Sequence, residues 1–234
     1  MNAQERFPPY GKSDFLPSAL YLLLPSNFRP SNFRPPPSIL RPCFMNTPAH
    51  VLISLLCLGR RDTASVLTPA IAGALLPDAP IFLFYFVEKV ILGTPESFIW
   101  RQAYYQAGWQ NFIDLFNSLP LMAIGLGAVL WAGSRVGVLL FGSMMLHVLG
   151  DLPLHHDDGH RHFFPFSNWR FESPVSYWDP NHYGGIVTVL EIVLVLVSCG
   201  ILFRIYQSRA GKIAIGAIGL CYLTYFLYAI AVWL

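Results

Sequence analysis

From residue 45 onward the chain reads as apolar runs separated by short polar breaks, at 48–59, 63–87, 115–134, 136–154, 184–203 and 213–234. The runs at 115–134 and 213–234 carry no charge. As helices they are long enough to cross about 30 Å of hydrocarbon. The runs at 136–154 and 184–203 hold one acid each, Asp151 and Glu191. The run at 48–59 is short, which suits a tilted or re-entrant helix. Pro77-Asp78-Ala79-Pro80 should end or kink the helix within 63–87. The pattern predicts an all-α fold: a polytopic helical membrane protein with about five to six transmembrane or re-entrant helices and a His-rich loop.

Residues 1–44 follow no such pattern. They contain the tandem repeat Pro25-Ser-Asn-Phe-Arg29 and Pro30-Ser-Asn-Phe-Arg34, followed by Pro35-Pro36-Pro37. The apolar stretch 15–24 is broken by Pro17 and too short to span. We read 1–44 as a disordered, Pro-rich N-terminal extension and 45–234 as the integral membrane domain. The shift in composition at Met45 makes that residue an alternative start.

Composition supports the membrane reading. The chain is 54% hydrophobic and 12% charged, with a mean hydropathy of +0.48, whereas soluble domains are about 25% charged. A net charge of +2 gives no basis for nucleic-acid binding. The four cysteines form no CxxC pair, so they read as free apolar residues rather than a thiolate site. If all six runs cross, Arg60, Arg61, Arg135, Arg204, Arg209 and Lys212 share one side. The positive-inside rule makes that side cytoplasmic and puts the histidine-rich face outside.

Five of the seven histidines fall between His147 and His162. Imidazole and carboxylate are ordinary ligands for zinc and non-haem iron, and ionisable groups at a membrane are costly enough to mark function. A plain polar loop would favour Lys, Ser and Asn. His147 and Asp151 are i and i+4 on a predicted helix, so they share a face. One further turn adds His155. His50 opens the first run. Asp78 sits at a helix end, where it either caps the helix or meets a metal. Which of His155, His160 and His162 point inward stays open. Glu191 either reaches the site or pairs with another buried group. No HExxH, GxSxG, Walker A or GxGxxG sequence is present, so zincin, serine-hydrolase and nucleotide-binding readings lack support.

The order Thr47-Pro-Ala-His50, Gly73-Ala-Leu-Leu-Pro-Asp78, His147-Val-Leu-Gly-Asp151 and His162-Phe-Phe-Pro-Phe-Ser167 resembles the bacterial inner-membrane metal-dependent hydrolase family, the LexA-regulated, YdjM-like group. The resemblance covers about residues 45–203. The same order is distantly similar to zinc-dependent phospholipase C. By that likeness His50, Asp78, His147 and Asp151 would bind one or two metals, and His160, His162 or His182 another. The phospholipase's N-terminal Trp ligand and closing HxxxE are absent here, so three zinc ions are not expected.

These readings converge on a membrane hydrolase using a divalent metal, zinc first, with iron or manganese open. Its partners would be the lipid bilayer and a small-molecule or lipid-like substrate, and its setting a bacterial inner membrane. Asp78, Asp157 or Asp158 would take a proton from metal-activated water. Arg161 and Arg170 would hold an anionic headgroup, or else bridge to Asp157, Asp158 or Glu172. The rivals are a membrane di-iron hydroxylase or desaturase, and a divalent-metal transporter or sensor.

Overall fold

Two helices lie so close that only glycine fits between them. The computed structural model describes residues 47–59, 63–177 and 179–233, with the side chains of Pro180, Tyr225 and 228–233 excepted. The expected disorder of 1–44 and the basic pair Arg60 and Arg61 lie outside the described residues. In chain order the main helices are α1 (Thr47–Leu58), α2 (Ala64–Leu75), α3 (Ala79–Phe86), α4 (Ala107–Phe116), α5 (Leu119–Trp131), α6 (Arg135–Asp151), α7 (Gly184–Ile205) and α8 (Arg209–Trp233). No strand occurs among the described residues.

The closest packing is between α2 and α6. A Cβ on Gly73 would sit 2.2 Å from the Leu140 carbonyl oxygen. Ser143 Oγ donates to the Ala70 carbonyl at 2.6 Å, and His147 Nδ1 lies 2.7 Å from the Ala74 carbonyl. Both pairs are 73 residues apart, so the two helices run parallel and in step. Ser134 starts α6 by accepting from the Gly137 amide, the usual service of an N-cap serine.

Helices α1, α2 and α7, with part of α8, enclose the main apolar core around Ala49, Leu52, Ala70, Val195 and Leu202. Tyr206 at the end of α7 donates to the Gly59 carbonyl just past α1, which ties the far ends together. The start of α1 and the ends of α2 and α6 therefore meet at the opposite end of the bundle. Arg135 and Arg204 lie at the Gly59 end.

Among the described residues, three helices are long and apolar enough to cross a membrane: Ala107–Trp131, Arg135–Leu154 and Gly184–Ile205. The pair Ala64–Leu75 and Ala79–Ile91, bent by 57° at the Pro77-Asp78 break, makes a fourth if it counts as one span. This corrects the five to six helices expected from the runs. With 12 residues, α1 is about 18 Å long and falls short of the hydrocarbon thickness. Its Ala49, Leu52 and Leu55 are buried in protein instead. The final run, 213–234, lies in α8 but extends beyond the described side chains. On α7, Leu190, Val193 and Val197 face outward, as suits a surface in contact with lipid.

Residues 88–114 lie between two apolar runs of the sequence. They are largely helical, and Phe84 of α3 collects Trp100, Tyr104 and Trp109 edge-on at 5.9, 5.9 and 5.2 Å. The 155–183 loop carries little helix but is fastened through its backbone. Ser173 N donates to His155 O, Tyr177 N to Leu154 O, and Leu119 N to His162 O. Those bonds satisfy polar groups that burial would otherwise leave unpaired.

Candidate metal centre

His147 is buried against α2, and its Nδ1 is committed to the Ala74 carbonyl. A carbonyl only accepts, so that nitrogen carries a proton and the ring is held with Nε2 toward the carboxylates. Nε2 lies 3.0 Å from Asp151 Oδ2 and 3.4 Å from Asp78 Oδ1, yet forms a hydrogen bond with neither. His50 Nε2 is 2.9 Å from Asp151 Oδ1, and the His50 and His147 rings stack at 3.8 Å. A Cβ on Gly150 would stand 3.3 Å from His50 Cε1, so a small residue beside Asp151 leaves room for that ring.

Two carboxylates converging on one buried ring nitrogen call for positive charge there, from a metal ion or from a second proton on the ring. The spacings fit a metal. Ligand atoms on bonds of 2.0–2.2 Å stand about 2.9 Å apart at right angles and about 3.4 Å at the tetrahedral angle. His50, His147 and Asp151, all buried, can each offer an atom such that the three lie within 4.8 Å of one another. The carbonyl behind His147 is the outer partner that fixes a ligating imidazole. Asp78 does not cap α3 through its side chain. It accepts from Thr47 Oγ1 at 2.7 Å and keeps its other oxygen toward His147. The residues present therefore fit a divalent ion.

The loop histidines divide into three. His155 reaches the centre, with Nε2 3.8 Å from Asp151 Oδ1 and Nδ1 3.0 Å from Asp158 Oδ1. Burial opposes its charge, but the carboxylates of Asp151 and Asp158 outweigh that and lift it to about 10. His160 and His162 are buried beside it. His160 Nδ1 faces Asp114 Oδ1 at 3.5 Å, and His162 Nδ1 meets the Asn117 carbonyl at 3.3 Å. Burial, with His160 adjacent, pushes His162 down to about 4. His182 stands with a different group: it stacks on His156 at 3.6 Å and holds Asp179 Oδ2 at 2.7 Å. Glu191 accepts from Tyr222 of α8.

Asp114, on α4 and fully buried, falls just before the apolar run 115–134 and is a site residue that the run pattern does not single out. It accepts from the Arg161 backbone amide and Nε, and Arg170 Nη2 lies 3.9 Å away. Arg161 also donates to Asn111 and Asn168, and Arg170 to Gly159 O and Gln110. The expected bridges to Asp157, Asp158 or Glu172 are thus replaced by one to Asp114, which pins the loop to α4. Asp114→Asn should weaken this anchor by about 2 kcal/mol, the worth of a hydrogen bond to a charged group. A lower unfolding temperature and faster proteolysis within 155–183 would register it, and wild-type behaviour in both would refute it.

No protein-family model, curated protein or solved structure matches this chain. The likeness to the YdjM-like hydrolases thus rests on the four motifs alone. Three of them supply the grouped residues His50, Asp78, His147 and Asp151, and the fourth supplies His162, which lies buried on the Asn117 carbonyl.

Proposed function

We propose that the chain is a membrane-embedded metal-dependent hydrolase acting on a phosphoester or lipid-like substrate at one membrane face. The observation that carries this is the buried His147 Nε2, oriented by Ala74 and facing two carboxylates with no hydrogen bond to either, beside His50. A bound divalent ion, zinc first with iron or manganese open, supplies Lewis acidity and lowers the pKa of water toward about 7. Asp78, whose side chain is 19% exposed, is the proton acceptor nearest the centre. Asp158, 24% exposed and in contact with His155, is a second. Arg161 is spent on Asp114 and two asparagines. Contact with an anionic headgroup therefore falls to Arg170, whose side chain is 33% exposed against 14% for Arg161.

On the motif likeness we place the protein in a bacterial inner membrane. Arg135, Arg204 and Arg209 lie at the end of the bundle away from the histidines, so the positive-inside rule puts the metal centre on the extracytoplasmic face. In a cysteine-free background, Phe166→Cys should label from outside intact cells and Ser208→Cys should not. The reverse pattern would invert the assignment.

A divalent-metal transporter is the second reading, because Asp78 sits at a 57° helix break and transporters place ligands on broken helices. One pair of assays separates the two. Full-length protein in micelles should hydrolyse a chromogenic phosphodiester or a short-chain phospholipid, lose that activity to a chelator and regain it with zinc. Proteoliposomes should show no zinc flux above empty vesicles. Flux without hydrolysis would replace the hydrolase reading with the transporter.

A further inference from the structure

At the end of the bundle away from the histidines, α7 and α8 leave a groove of about 300 Å³, lined by Cys199, Gly200, Phe203, Arg204, Ile215, Gly216 and Gly219. Beside the groove the helices are joined at Cys199, whose Sγ lies 3.6 Å from the Ile215 carbonyl and 3.5 Å from where a Cβ on Gly219 would stand. Glycines in membrane helices commonly serve close approach. Gly200 and Gly216 do not: a Cβ on either would meet nothing within 4 Å. They widen the gap between the helices. The rim is cationic. Arg204 belongs to the lining, Lys212 Nζ stands 5.4 Å above the centre of the Phe203 ring, and Arg209 opens α8. No acid occurs in the sequence after Glu191, so the end of α7 and the start of α8 bring only positive charge to this corner. Exposed Phe203, Ile213 and Leu220 surround it.

We propose that this groove binds one anionic phospholipid, with an acyl chain along Gly200 and Gly216 and the phosphate on Arg204 and Lys212. An apolar slot that opens sideways from two membrane helices suits an acyl chain. Paired basic side chains at its end suit an anionic headgroup, since each Lys or Arg near a charged membrane surface contributes about 1 kcal/mol. The site is separate from the metal centre and does not depend on it.

Native mass spectrometry of the full chain tests this, using micelles that contain equal amounts of phosphatidylglycerol and phosphatidylcholine of identical chain length. The wild type should retain one phosphatidylglycerol in preference to phosphatidylcholine by about tenfold or more, given two contacting cations. The double variant Arg204→Gln and Lys212→Gln should lose the preference, and the swap Arg204→Lys with Lys212→Arg should keep it. Gly216→Leu, which fills the slot, should shed the lipid without changing metal content. Equal retention of both lipids by the wild type, or an unchanged preference in the glutamine variant, would overturn the proposal. So would a dimer that Gly216→Leu splits with no lipid bound, because a second copy would then be the occupant.

Discussion

Replacing His147 or Asp151 with alanine is expected to lower metal affinity by about 100-fold or more, with the protein still folded. Loss of an outer-shell partner alone typically costs 10–100-fold, and these two supply ligand atoms directly. Asp151 matters most in the geometry, since its two oxygens face His50 and His147 separately. His147→Ala removes the nitrogen that Ala74 holds in place. Asp157 and Glu172 are exposed on the loop, so Asp157→Asn and Glu172→Gln should change affinity little. Competition against a zinc-chelating dye reads all four variants on one scale. Equal affinity in His147→Ala and the wild type would sink the ligand assignment.

The second large effect is predicted at a residue that holds no chemistry. Gly73→Val should destabilise the protein by about 3 kcal/mol or more, at the upper end for overpacking. The new Cβ would press on the Leu140 carbonyl, 2.2 Å away, and on Ser143 Cβ, 2.7 Å away. The first of these is backbone and cannot swing aside. Forcing α2 from α6 also pulls the Ala74 carbonyl from His147, so metal binding should fall together with the unfolding temperature. Gly127→Ala is the control, because a Cβ there meets nothing within 4 Å and alanine favours helix over glycine. Thermal unfolding in detergent measures both. A Gly73→Val protein as stable as the Gly127→Ala protein would mean that the two helices do not pack as described.

The parts of the site that could be read from sequence are those set by local geometry. His147 and Asp151 share a face because a helix brings i and i+4 together, and both prove buried on α6. Grouping them with His50 and Asp78 needed the cost of a buried acid and the motif order, since no spacing rule links α1, the α2–α3 break and α6. Asp114 was overlooked because the apolar run was started at 115, whereas α4 begins at Ala107. Extending the run one helical stretch upstream would have exposed an acid inside a candidate span, which is itself a signal of function. The pairing of His156 with His182 is tertiary and left no local trace. The span count was too high because apolarity does not reveal what covers a residue. In α1, Ala49 and Leu52 are apolar because protein surrounds them, and a 12-residue helix looks the same in sequence whether lipid or protein does so.

The central claim is that His50, Asp78, His147 and Asp151 hold one divalent cation. Elemental analysis of the full chain, purified in detergent without chelator and dialysed against metal-free buffer, tests it most directly. The account predicts at least one tightly held divalent ion per chain, zinc first, falling to background when His147 and Asp151 are both replaced by alanine. No stoichiometric metal in the wild type after exposure to zinc, or full occupancy in the folded double variant, would contradict it.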